Sequence, residues 1–121
     1  MTILVTGSSG HLGEALVRTL RSQGQPVCGA DIKPSPFTDR LGSISDRGFV
    51  EGLMAGVRAV VHTATLHKPH VATHDQQMFI DTNVTGTLVL LEQALISGVD
   101  SFVFTSTTST FGLAATKFVS P

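Results

Sequence analysis

The eight residues Thr6-Gly7-Ser8-Ser9-Gly10-His11-Leu12-Gly13 constrain this chain more than any other stretch. They follow directly on the short apolar run Ile3-Leu4-Val5, and Leu12, Ala15, Leu16, Thr19 and Leu20 then recur at helical spacing. A strand that becomes a helix across three glycines can bring backbone N–H groups to bonding distance of a pyrophosphate, where a Cβ would block the approach. Gly7 allows the tight turn, Gly10 the close approach, and Gly13 lets the helix lie against the strand. The helix starting near Gly10 adds unpaired N–H donors and a positive dipole end.

A glycine pattern alone is weak evidence, and its context supplies the rest. Val27-Cys28-Gly29-Ala30 is a second short strand closed by Asp31. A carboxylate at that tip can accept both ribose hydroxyls of an adenosine and would repel a 2′-phosphate, so NAD is favoured over NADP. Lys33, two residues on, works against that preference.

Beyond Asp31, Pro34 and Pro36 make residues 33–40 a loop. Leu41 to Ile44 reads as a brief third strand. Ser45 is the expected N-cap of a helix carrying Phe49, Val50, Leu53 and Met54. Val57 to His62 is the next strand. Thr73 and Gln76 have capping-box spacing, and the helix after them is expected to bury Val84, Leu88, Leu91 and Leu95. Phe102-Val103-Phe104 begins a fifth strand. Gly24, Gly56 and Gly98 each end a helix shortly before a strand. Such alternation predicts an α/β fold: a Rossmann-type, doubly wound parallel sheet of about five strands, forming one domain over residues 1–121.

Composition narrows the function. Hydrophobic residues make up 41% and charged residues 14% of 121, a globular rather than a disordered balance. A net charge of −1 without a basic cluster gives no footprint for nucleic acid or an anionic membrane surface. No apolar stretch approaches the ~20 residues of a membrane span. Cys28 is alone, so no disulfide forms within the chain, and a cytoplasmic location is expected. The chain contains no Tyr.

Four pieces together resemble the extended short-chain dehydrogenase/reductases, specifically the NAD-dependent epimerase/dehydratase family acting on nucleotide sugars. They are Thr-Gly-x-x-Gly-x-x-Gly at 6–13, Val61-His62-Thr63-Ala64, Asn83-Val84-x-Gly86-Thr87, and Phe102 to Thr107 running on to Phe111-Gly112. The resemblance places Gly7, Gly10, Leu12 and Gly13 on the phosphate turn and Asp31 on the adenosine ribose. Ser43, followed by Ile44, stands where the family usually has an Asp contacting the adenine amine. Ala64 and Thr65 fall where backbone skirts the cofactor. Asn83 matches a helix Asn near the cofactor, with a backbone-bonding role as the alternative. Thr107 matches the catalytic Ser/Thr that hydrogen-bonds the reacting oxygen. Phe111 replaces a Tyr that is not the catalytic one.

The resemblance also implies a general base these residues do not contain. In the family it is a Tyr assisted by a Lys four residues later; a free phenol, with pKa near ~10, needs that help to work near neutrality. The expectation is therefore a segment of a longer protein, inactive alone, whose Phe102–Phe104 strand would otherwise be a bare apolar edge inviting self-association. The complete protein would be an NAD-dependent epimerase, dehydratase or dehydrogenase with a small-molecule substrate, and a homodimer is left open. Alternatives are a uronate-type sugar-acid dehydrogenase and a non-catalytic NAD(P) sensor without the Tyr–Lys pair. His67, His70 and His74 suggest a metal, but no acid beyond Asp75 completes a set, and no metal is expected. Their loop is read instead as one wall of the site, and His62, on a buried strand, as a satisfied core histidine.

Overall fold

The computed structural model describes residues 1–66, 70 and 72–106. Five strands form one sheet in the order β3-β2-β1-β4-β5. They are β1 (Thr2–Thr6), β2 (Val27–Asp31), β3 (Arg40–Leu41), β4 (Val57–His62) and β5 (Ser101–Phe104). Every pairing is parallel. Helix α1 (His11–Ser22) connects β1 to β2, and α2 (Arg47–Leu53) connects β3 to β4. A continuous helical stretch connects β4 to β5: α3 (Gln76–Phe79), a π segment (Ile80–Gly86) and α4 (Thr87–Ile96).

Parallel strands covered on both faces read as nearly continuous apolar runs, and alternate residues then feed opposite cores. Ile3 and Val5 of β1 pack with Val17 of α1, alongside the half-buried Leu16, Leu20, Ala59 and Val61. Leu4 of β1 and Val60 of β4 point the other way, into the core built with Val50 and Leu53 of α2 and Val89, Leu90 and Ala94 of α4. The doubly wound expectation holds, with α1 on one face and α2 and α4 on the other. Gly24 and Gly98 close α1 and α4 at positive φ, as expected of helix-ending glycines.

Several local expectations are corrected. Helix α2 is capped by Asp46, whose Oδ1 accepts from Phe49 N at 3.2 Å, and not by Ser45. Ser45 is committed to a turn instead: its N–H donates to Ser43 Oγ, and the two hydroxyls lie 2.7 Å apart. That turn also ends the third strand at Leu41 rather than Ile44. Asp75, not Thr73, caps α3, with Oδ1 2.8 Å from Met78 N; the Thr73 hydroxyl bonds His74 Nδ1. In both cases a carboxylate takes the capping site, being the stronger acceptor for backbone N–H.

The face of the last helix is also reversed. Val84, Leu88, Leu91 and Leu95 are exposed, at 46–82%, whereas Val89, Leu90, Gln93 and Ala94 are buried. Helix α4 is apolar on both sides, so periodicity could not select one. Close packing selects the side with the smaller residues: Gly86 approaches Ile44 so tightly that a Cβ there would lie 2.6 Å from Ile44 Cδ1.

Candidate cofactor site

At the C-terminal end of β1 the chain turns sharply through Gly7, whose φ of +76° favours glycine. Gly7 N and Ser8 N both donate to Ala30 O, at 2.8 and 3.3 Å, fastening the turn to β2. Gly10 N closes it onto Gly7 O at 3.0 Å. A Cβ on Gly13 would sit 1.9 Å from Gly7 O, so α1 lies against the turn only because position 13 has none. At Gly10 a Cβ would meet only Gly7 O, at 3.2 Å, and would otherwise fill space that the protein leaves open. Gly10 is the N-cap and provides no capping side chain, so the first-turn N–H groups of α1 are left for whatever enters this space. Leu12, half exposed, stands beside them. These features fit a bound pyrophosphate.

Asp31 closes β2 next to this turn. Its Oδ2 accepts from Ser9 N at 3.0 Å and its Oδ1 from Lys33 N at 2.9 Å. A carboxylate oxygen offers two lone pairs, so each oxygen keeps one acceptor position for a ribose hydroxyl. Lys33 thus meets Asp31 through its backbone N–H.

Ser43 and Ile44 follow β3, and both already have partners within the protein. Ser43 Oγ already accepts from Ser45 N, and the Ile44 side chain is buried in the α2–α4 core. Only the Ile44 backbone and a shared Ser43 hydroxyl remain to face a ligand.

The segment after β4 forms the opposite wall. Thr6 and His62 are register partners on β1 and β4. Thr6 Oγ1 accepts from Thr63 N at 3.1 Å and Ala64 N at 3.2 Å, and lies 2.8 Å from His62 Nδ1. Thr63 Oγ1 donates back to Thr6 O at 2.6 Å. On its other side, His62 Nε2 lies 2.9 Å from Thr87 Oγ1 at the start of α4. His62 is fully buried, and burial pushes its pKa down to about 4, keeping the ring neutral near pH 7. The satisfied core histidine is confirmed. Two residues beyond Ala64, past the half-buried Thr65, Asn83 grips the backbone of Leu66 at both ends: Oδ1 accepts from Leu66 N and Nδ2 donates to Leu66 O, each at 2.7 Å. Asn83 therefore takes the backbone-bonding role, and it does so from within the π segment.

The structure thus gathers Gly7, Gly10, Leu12, Gly13 and Asp31 at the mouth of the turn, with Ala64 against Gly7 and Thr65 next in the chain. Thr107 and His67 lie outside the described residues. Thr6, Thr63 and Thr87 each lie within one of the four motif pieces, but none stands out there as a site residue. The clue to them was a threonine ending β1 opposite a histidine ending β4. Among the described residues there is no cluster able to hold a metal ion, and no helix long and apolar enough to cross a membrane.

The sequence model of the NAD dependent epimerase/dehydratase family matches residues 3–120. The chain is 36% identical over 120 residues to a UDP-glucose 4-epimerase of Rhizobium meliloti, covering 92% of this chain and 37% of that protein. It is 35% identical to the sterol demethylase protein B of Methylococcus capsulatus, over 93% of this chain and 36% of that protein. A short-chain dehydrogenase/reductase superfamily protein of Agrobacterium tumefaciens, solved with bound NAD, superposes with a TM-score of 0.84. It shares 37% identity over 93% of this chain and 34% of its own. The chain spans little more than a third of the length of these relatives.

Proposed function

Because the chain belongs to the NAD dependent epimerase/dehydratase family, we propose that it forms the cofactor-holding part of an oxidoreductase acting by reversible hydride transfer on a sugar carbinol, with a nucleotide sugar as the substrate class. The observation that carries this reading is Asp31, held by Ser9 N and Lys33 N beside the glycine turn with one acceptor position left on each carboxylate oxygen. The turn N–H groups and the first turn of α1 would hold the pyrophosphate, Asp31 the adenosine ribose, and the backbone at Ala64 and Thr65 the wall beyond it. Bound NAD supplies a hydride acceptor that can return the hydride to the same carbon for epimerisation or retain it for net oxidation. This chain's contribution is to orient the cofactor, to keep a 2′-phosphate out through the charge of Asp31, and at Thr107 to hydrogen-bond the reacting oxygen. The similarity to a UDP-glucose 4-epimerase supports a nucleotide sugar.

Calorimetric titration of the full-length protein with NAD and NADP tests the reading. NAD binds more tightly. Asp31→Ala weakens NAD by about 10- to 100-fold, as expected for losing charge-assisted hydrogen bonds of ~1.5–3 kcal/mol, and narrows its advantage over NADP. Equal or tighter binding of NADP by the unmodified protein overturns the assignment of Asp31.

A further inference from the structure

The segment 63–66 that walls the site is held from two directions. Asn83 fixes its far end through Leu66, and the Thr6 hydroxyl fixes its near end through Thr63 and Ala64. The near end also presses on the phosphate turn: a Cβ on Gly7 would lie 2.5 Å from Thr63 Oγ1 and 2.8 Å from Ala64 N. Any drift of Thr63 and Ala64 is therefore felt by the glycine turn itself.

The protons of this network can be placed by counting. A threonine hydroxyl has one hydrogen and two lone pairs. Two backbone N–H groups, which can only donate, point at the lone pairs of Thr6 Oγ1: Ala64 N–H at 3.2 Å, and Thr63 N–H at 3.1 Å, which divides its hydrogen between this hydroxyl and Thr6 O at 3.2 Å. Its hydrogen then points to the remaining neighbour, His62 Nδ1, which in this arrangement is the unprotonated ring nitrogen. A neutral imidazole carries its hydrogen on the other nitrogen, so Nε2–H donates to Thr87 Oγ1. A ring in the opposite tautomer would place two hydrogens between Nδ1 and Oγ1, or push the Thr63 N–H wholly onto Thr6 O and turn the Thr6 hydroxyl hydrogen away from the ring, giving up the hold of Oγ1 on Thr63.

We propose that His62 is a positioning residue for the cofactor site: as the neutral Nε2–H tautomer, anchored on Thr87, it orients the Thr6 hydroxyl so that its lone pairs hold the Thr63–Ala64 backbone against the phosphate turn. Its effect on NAD rests on the function proposed above; its tautomer does not. No other side chain of similar volume offers an acceptor towards β1 and a donor towards α4 from one rigid ring, which is what joining the two elements requires.

Two measurements on the full-length protein test this separately. In nitrogen NMR of protein labelled at histidine, the signal lost in His62→Gln identifies this ring. The expected pattern is an unprotonated Nδ1 and a protonated Nε2; a protonated Nδ1 in the wild type overturns the proposal. NAD titration is the second measurement. Thr6→Val and His62→Leu weaken NAD binding at least ten-fold, while Thr6→Ser, which keeps the hydroxyl, restores it to within about two-fold. A folded His62→Leu protein that binds NAD as the wild type does overturns the proposal. If His62→Leu does not fold, Thr87→Val, which keeps the ring but removes its anchor, decides: NAD weakened several-fold supports the proposal, and unchanged NAD affinity overturns it. A wild type that binds no NAD refutes the function proposed above, and leaves the tautomer to be judged by NMR.

Discussion

Acid should act on this network through the imidazole at position 62, because its partners are threonine hydroxyls and backbone groups that do not titrate. Burial lowers the His62 pKa from 6.5 to about 4, because no charged partner offsets the cost of desolvating an imidazolium. Protonation would also place a hydrogen on Nδ1, facing a hydroxyl that already accepts from Ala64 N and shares the Thr63 N–H with Thr6 O. Above pH 6.5 the ring is neutral in both the folded and the unfolded chain, and the contribution of this residue to stability is complete. As pH falls through that value the unfolded chain binds a proton that the folded one refuses, so stability is lost at about 1.4 kcal/mol per pH unit. By pH 4 the loss reaches about 3 kcal/mol, a large share of the ~5–15 kcal/mol typical of a domain. Urea unfolding of wild type and His62→Gln between pH 4 and 8 isolates the effect, since glutamine does not titrate. The wild type should lose stability relative to the variant only below pH 6.5. A difference between the two that stays constant across the window refutes the reasoning.

Two further outcomes follow, one from the glycine turn and one from the role proposed for Thr107. Gly13→Ala, whose Cβ would lie 1.9 Å from Gly7 O, should cost ~3 kcal/mol or more and abolish NAD binding. Gly24→Ala meets nothing within 4 Å and should cost only about 1–2 kcal/mol for its left-handed backbone, with NAD binding intact; thermal unfolding with calorimetry compares them. Thr107→Val in the full-length protein should lower turnover by ~10²–10⁴, the span typical of acid–base machinery, whereas Thr107→Ser should be mild and NAD affinity should hold in both. Near-normal turnover in Thr107→Val would take the reacting oxygen away from that residue.

The glycine turn and Asp31 were legible in the sequence because their chemistry is local: a strand, a turn and a helix lie within a dozen residues. The helix-ending glycines at 24 and 98 were legible for the same reason. What escaped was set by competition between neighbours or between faces. Ser45 and Thr73 are good capping residues, but an Asp one or two positions later outbids each of them for the helix N–H groups. The buried face of α4 could not be read because leucines lie on both sides of it, and the choice depends on Ile44, some forty residues away. The hub at Thr6 needed the β1–β4 register, which only pairing reveals.

The double anchoring of Asp31 has a consequence for redesign. Changing cofactor preference in such a protein is commonly pictured as swapping one residue at a strand tip for a smaller or a basic one. Here the same carboxylate also secures the second serine of the turn and the backbone at Lys33. Removing the charge to admit a 2′-phosphate would leave Ser9 N and Lys33 N without their acceptor, loosening the loop that must grip the pyrophosphate. Selectivity and grip are therefore one trait at this position. A variant that accepts NADP well must replace the two backbone contacts as well as the charge, so single substitutions at Asp31 should broaden preference only by weakening both cofactors.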